Sequence, residues 1–186
     1  MTLDRREAVA ALLADRGDLL LVTGLGSPTY DAAAAGDHEA NFYLWGAMGG
    51  AAMIGLGLAI ARPERRVLVL TGDGEMLMGL GSLATIAARQ PANLSIVVLD
   101  NGRYGETGAQ HSHTALGTDL AAVAQGCGWK DCRTVKDMAG LRALRDAVHV
   151  GPVFASVKIS AAEAPRVLPP RDGALLTHRF IGATAS

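Results

Sequence analysis

The chain has 186 residues, enough to bury a core as one domain, and 49% hydrophobic against 19% charged residues argues against a disordered chain. With 17 basic and 18 acidic residues the net charge is −1, which gives no electrostatic footing for nucleic acid or an anionic membrane. The two cysteines, Cys127 and Cys132, are spaced C-x4-C with no second pair or His cluster. That argues against a zinc site and reads as two buried or half-buried thiols.

The N-terminal residues predict an amphipathic helix over 3–16. Leu3, Val9, Leu12 and Leu13 fall on one side, and Arg5, Arg6, Glu7 and Asp15 fall opposite. Its charges exclude a signal peptide. The apolar run within 18–23 reads as a buried strand, and it breaks into Gly24-Leu25-Gly26-Ser27-Pro28 before a small-residue helix near 30–35. Residues 41–44 read as a short strand. Residues 49–62 read as a tightly packed helix ended by Pro63; the stretch 47–61 is too short and Gly-rich to span a bilayer, so a cytoplasmic protein is expected. VLVLT at 67–71 is the next strand, 79–89 a helix that Pro91 blocks, and LSIVVLD at 94–100 a third buried strand. A long polar loop, 101–117, precedes a helix over 119–126, an edge strand within 129–134, an amphipathic helix over 136–148 and a last strand at 152–158. Residues 160–186 read as a C-terminal tail with Pro169-Pro170, packed on the domain or on a partner. Apolar strands without alternation, separated by helices, predict a three-layer doubly wound α/β fold with a parallel sheet.

The chemistry concentrates at Leu70-Thr71-Gly72-Asp73-Gly74-Glu75, between a buried strand and a helix. Ligands of open α/β sheets bind at the carboxyl ends of strands. Gly72 and Gly74 let the backbone approach an oxyanion, and a helix start offers N–H groups and a favourable dipole. Asp73 is a hard oxygen ligand. The next strand ends in Asp100-Asn101-Gly102 at the same sheet edge, where Asn101 offers an amide oxygen. One carboxylate, one neutral oxygen and a diphosphate suit Mg²⁺. Either motif alone reads as an ordinary turn; together they favour a site.

Gly72-Asp73-Gly74 and, after the 26 residues 75–100, Asn101 resemble the GDG…N signature of thiamine-diphosphate (TPP) enzymes. The wider stretch 41–110, notably NFYLWGAMGG, GDGEMLMGLGSLATIAARQPANL and VVLDNGRYGETGAQ, is similar to the small TPP-binding subunit of sulfopyruvate decarboxylase and to the matching part of phosphonopyruvate decarboxylase. The resemblance implies that Asp73, the Asn101 side chain and the Arg103 main-chain carbonyl bind Mg²⁺. It implies that Gly74 and Glu75 offer backbone N–H groups to the diphosphate, which Gly105, Glu106 and Thr107 cover. Gly46 would offer its carbonyl to the cofactor's 4′-amino group, and Met48 would be the wedge under the bent cofactor. Asp100 stands where many relatives have Asn and adds negative charge near the metal.

In this family the glutamate that activates the aminopyrimidine lies on a separate pyrimidine-binding domain, for which 186 residues leave no room. The resemblance therefore implies a partner alpha subunit, with the cofactor held across the interface. The reaction it implies is decarboxylation of a small 2-oxo acid: the thiazolium takes up the electrons left by CO₂, and an aldehyde is released. His111 and His113 read either as proton relays or contacts to the substrate's acid group, or as surface-loop histidines. Arg103 and Gln110 are further candidates for a sulfonate or phosphonate. The competing readings are a TPP-dependent carboligase or oxidative enzyme, a non-catalytic TPP-binding regulatory subunit, and a dinucleotide domain. The last is disfavoured because Gly24-x-Gly26 lacks its third glycine and carries Pro28 in the turn.

Overall fold

The structure, a computed structural model, describes residues 2–185; residues 1 and 186 of the predicted domain and tail lie outside the described residues. Six strands form one sheet: β1 (Leu20–Thr23), β2 (Asn41–Tyr43), β3 (Val67–Gly72), β4 (Leu94–Asp100), and then, beyond a short hairpin of β5 (Arg103–Tyr104) and β6 (Gln110–His111), β7 (Cys132–Val135) and β8 (Phe154–Lys158). The order is β2-β1-β3-β4-β8-β7, and every neighbouring pair is parallel. The chain runs outward from β1 to β2, then returns to place β3 on the other side of β1. That reversal opens a crevice at the carboxyl ends of β1 and β3.

Side-chain alternation divides the sheet between two cores. Leu21, Leu68, Leu70, Val97 and Leu99 meet Val9 and Leu12 of α1 (Arg5–Leu13) and Leu141 and Leu144 of α7 (Met138–Val150). Leu20, Val22, Val69, Ile96 and Val98 meet Leu56 of α3 (Ala51–Ala61), Ile86 of α5 (Ser82–Arg89), Ala124 of α6 (Leu120–Gly126) and Phe180 of α8 (Gly173–Ala185). All seven residues of β4 are buried. A strand covered on both faces has no polar side to alternate with, which is why its sequence is a continuous apolar run.

Several boundaries differ from the sequence reading for identifiable reasons. The helix expected from 49 begins at Ala51, because Gly46, Ala47 and Gly49 hold positive φ (129°, 50° and 90°) in the turn before it. The helix expected over 79–89 starts three residues later, as α5, and a separate short helix, α4 (Asp73–Met78), precedes it. Gly79 separates them where the backbone presses on Gly49: a Cβ there would lie 2.3 Å from the Gly49 carbonyl oxygen. The small-residue helix is longer than expected, α2 (Ser27–Ala34), with Pro28 in its first turn where a proline is tolerated. The edge strand starts at Cys132, not Trp129. Trp129 is buried edge-on to Phe154, and its Nε1 donates to the Leu83 carbonyl at 3.1 Å. Both cysteines are free and half-buried.

The largest addition is in the tail, which carries a helix and packs on this chain. Phe180 of α8 lies 5.4 Å, centroid to centroid, from Phe42 of β2. Arg179 forks onto Asp37 at 2.7 and 2.8 Å. The connecting segment is pinned where Trp45 Nε1 donates to the Pro170 carbonyl at 3.3 Å. Among the described residues no helix is long and apolar enough to cross a membrane.

Candidate functional site

The carboxyl ends of β3 and β4 open into one cleft. Its lining includes Met48, Gly72, Asp73, Gly74, Glu75, Asn101, Arg103, Gly105, Glu106 and Thr107, with Leu25, Ser27 and Pro28 from the loop after β1. The fold thus brings together most of the predicted site residues from three separate segments. Three stand apart from that lining. Gly46 lies two residues before Met48 in the positive-φ turn, His111 is exposed on the neighbouring hairpin, and His113 is exposed at the start of the 3₁₀ turn that follows it.

Asp73 is 2% exposed, and its Oδ2 accepts from Ser112 Oγ at 2.5 Å and Thr114 Oγ1 at 3.2 Å. Burial pushes its carboxyl above the usual aspartate range; the two hydroxyls oppose this, and the neighbouring Asp100 adds to it. Asp100, also buried, accepts from Thr114 Oγ1 at 2.7 Å, from Ser156 Oγ at 3.2 Å and from Gly102 N at 3.1 Å, and it forms an ion pair with Lys158. The extra negative charge anticipated at Asp100 is therefore compensated within the chain. Ser112, Thr114 and Lys158 escaped the sequence reading. No sequence signal marked them: β6 ends at His111 and a 3₁₀ turn starts at His113, so no strand alternation runs through the segment that turns Ser112 inward.

The segment expected as a long polar loop, 101–117, carries a hairpin followed by a turn of 3₁₀ helix at His113–Leu116. Asn101 Oδ1 accepts from Arg103 N at 2.9 Å and shapes the entry to β5. The carbonyls of Gly102 and Tyr104 are taken by Ser112 N and Ala109 N, each at 2.9 Å. By the alternation of an antiparallel ladder, the intervening Arg103 carbonyl is directed off the hairpin. The Arg103 side chain bends back, its Nη1 donating to Ala109 O at 3.0 Å. His113 Nδ1 is 3.1 Å from Tyr104 Oη, with the rings edge-on at 6.4 Å.

Glu75 contributes more than the predicted backbone. Its carboxyl is 4% exposed, with Oε2 accepting from Thr71 Oγ1 at 3.0 Å and Oε1 from Ala51 N at 3.4 Å. It links the end of β3 to the start of α3. It also explains Gly24, dismissed as a dinucleotide signal: a Cβ at position 24 would lie 1.8 Å from Glu75 Oε2. Burial raises the Glu75 carboxyl above its usual 4.5. A raised carboxyl favours folding while protonated, and that contribution is lost as pH rises through the folded-state value. Metal-free wild type and Glu75→Gln are therefore expected to melt at similar temperatures near pH 4. Above pH 4.5 the variant should melt progressively higher than wild type, which scanning calorimetry across pH would show; a constant gap would sink this reading of Glu75.

The donors around the cleft are all hard oxygens: the Asp73 carboxylate, the Asn101 amide and the Arg103 carbonyl. A set with one carboxylate could hold a small octahedral cation whose remaining positions go to water and a ligand's phosphates. Among the described residues no group of three or more His, Cys, Asp or Glu is arranged for a metal, so main-chain and ligand oxygens would have to complete the shell. The α4 helix behind Gly72 has six residues, shorter than the dipole reading assumed, so its contribution is chiefly its first N–H groups.

Fold and cleft together define a doubly wound α/β protein with an oxygen-lined ligand cleft at its topological switch point. Residues 25–157 match the family described as thiamine pyrophosphate enzyme, C-terminal TPP binding domain, and the chain belongs to that family. It is 40% identical over 181 residues to the sulfopyruvate decarboxylase subunit beta of Methanothermobacter thermautotrophicus, covering 97% of this chain and 95% of that one. It is 42% identical over 139 residues to the phosphonopyruvate decarboxylase of Streptomyces viridochromogenes, covering 73% of this chain and 34% of the relative. The fold is that of the crystal structure of benzoylformate decarboxylase from Polynucleobacter necessarius, with a TM-score of 0.76 at 18% identity over 89% of this chain. The chain spans about a third of both longer proteins, 34% in each case.

Proposed function

We propose that this chain is the TPP- and Mg²⁺-binding subunit of a two-subunit cytoplasmic 2-oxo acid decarboxylase. It would convert 3-sulfopyruvate or 3-phosphonopyruvate to the aldehyde and CO₂, and would act only with a pyrimidine-binding alpha subunit that supplies the activating glutamate. The observation that carries this reading is the match, nearly end to end, to a protein named as a beta subunit, with Asp73 and Asn101 meeting in one cleft. The sulfonate substrate is favoured because relatives matched nearly end to end are named sulfopyruvate decarboxylase subunit beta.

In this reading Asp73, Asn101 Oδ1 and the Arg103 carbonyl hold Mg²⁺. The backbone N–H groups of Gly74 and Glu75 bind the diphosphate, and the exposed Gly105, Glu106 and Thr107 cover it from the outer side. Met48 supports the cofactor from below and the Gly46 carbonyl orients its aminopyrimidine. The bound cofactor supplies the electron sink that lets CO₂ leave. The chain's residues hold it in place, and with the partner they exclude water. His111 and His113 are exposed outside the cleft lining, next to the hairpin whose Arg103 and Tyr104 line it, and in this reading one of them carries a proton or meets the substrate's acid group once the partner is bound.

The test is CO₂ and aldehyde release from 3-sulfopyruvate and 3-phosphonopyruvate, with TPP and Mg²⁺, by this chain alone and with its co-expressed partner. Turnover is expected only with the partner, and faster with the sulfonate. Equal turnover by the chain alone would refute the two-subunit reading. Failure of both substrates while pyruvate is turned over would refute the substrate class.

A further inference from the structure

The pair Ser112 and Thr114 is not accounted for by the cofactor contacts above. Ser112 is fully buried, and both hydroxyls converge on the same atom, Asp73 Oδ2, at 2.5 and 3.2 Å. They are also 2.8 Å from each other. Neither uses Oδ1, and the carboxylate that bears it lines the cleft. Ser112 is the firm donor to Oδ2, and the single Thr114 proton, shared between Asp100 Oδ1 at 2.7 Å and Asp73 Oδ2 at 3.2 Å, adds a weaker branch. Together they restrain the rotation of the carboxylate and leave its other oxygen to act as a ligand.

The same two residues tie the halves of the site together. Ser112 N donates to Gly102 O at 2.9 Å, so the residue that grips the end of β3 also braces the loop carrying Asn101 and Arg103. Thr114 Oγ1 reaches Asp100 Oδ1 at 2.7 Å, and Lys158 holds that carboxylate from the other side. Asp100 is thereby kept occupied, leaving Asp73 as the carboxylate offered to the cleft.

We infer that Ser112 and Thr114 are positioning residues, a hydroxyl clamp that fixes Asp73 Oδ2 and aims Oδ1 at the divalent cation. The inference rests on the metal site of the proposed function. A bland alternative is that the hydroxyls merely satisfy a buried carboxylate, contributing to folding and nothing to metal affinity. The two differ in what a binding measurement reads. Removing a group that orients a metal ligand lowers metal affinity by about 10- to 100-fold, whereas a folding role moves only the melting temperature.

The experiment titrates Mn²⁺, followed by its electron paramagnetic resonance, into the full chain with saturating TPP. It compares wild type, Ser112→Ala, Thr114→Val, the double variant and the conservative Thr114→Ser, with a metal-free melting curve for each. The clamp predicts Mn²⁺ affinity lowered about tenfold in each single variant and toward a hundredfold in the double, with Thr114→Ser close to wild type. Ser112→Ala alone carries the comparison if the double variant does not fold. Wild-type Mn²⁺ affinity in Ser112→Ala and Thr114→Val, with only their melting temperatures lowered, overturns the clamp and leaves the proposed metal site standing. Mn²⁺ that fails to bind the folded wild type, or binds Asp73→Ala equally well, overturns the metal site and the clamp with it.

Discussion

Asp73→Ala is expected to abolish Mg²⁺-dependent TPP binding, with a loss greater than about a hundredfold, the upper end of what is seen when only a ligand's supporting residue is removed. The chain would lose the cleft carboxylate that follows β3 and has an oxygen to offer, since that of Glu75 is bonded to Thr71 and Ala51. Asp100 cannot replace it, because Lys158, Ser156 and Thr114 already engage its oxygens. The same substitution should leave the metal-free fold at least as stable at neutral pH. Burial disfavours the charged form of Asp73, so alanine relieves a desolvation cost, and Ser112 and Thr114 can still bond each other at 2.8 Å. Calorimetric titration of TPP with Mg²⁺, paired with melting curves, reads both effects. Tight binding by the variant would remove the cofactor assignment. Lost binding with a much lowered melting temperature would mean that Asp73 is structural.

Those opposite signs reflect how the site was legible in the sequence. Gly72-Asp73-Gly74 and Asn101 stood out because each ends an apolar run, and the topology carries both ends to one edge of the sheet. Ser112, Thr114 and Lys158 did not stand out, since nothing in a serine or threonine within a polar loop marks it as buried. Only pairing of β5 with β6, registered at Arg103–His111, turns Ser112 inward. Glu75 was assigned only its backbone, because its carboxyl meets residues distant in sequence, such as Gly24 and Ala51.

The fold was legible wherever burial on both faces leaves an unbroken apolar run, as in β3 and β4. It was obscure where a tertiary contact decides the outcome. Gly79 interrupts a helical pattern because Gly49 crosses it. Residues 160–186 were read as a tail because Pro169-Pro170 and the preceding polar residues carry no periodicity. The helix that follows owes its place to what it covers.

Deleting residues 172–186 should therefore cost the fold about 5 kcal/mol, the sum expected for removing one buried phenylalanine and one buried leucine from a core. Leu176 and Phe180 of α8 are 2% and 9% exposed, and Phe180 belongs to the same apolar cluster as Leu20 and Val22 of the sheet. The deletion also breaks the fork of Arg179 on Asp37, which holds the loop before β2. That surface pair adds little by itself, since solvent screens it. A loss of this size consumes much of a typical domain's stability. The truncated chain should thus unfold at a far lower urea concentration, while Phe180→Ala alone should lose about 3 kcal/mol. The consequence reaches the cleft, because β2, whose Phe42 packs on Phe180, leads through Trp45 into Gly46 and Met48. If the truncated chain instead matched wild type in urea, α8 would be a loosely applied cover, and its contacts with Phe42 would contribute nothing to the fold.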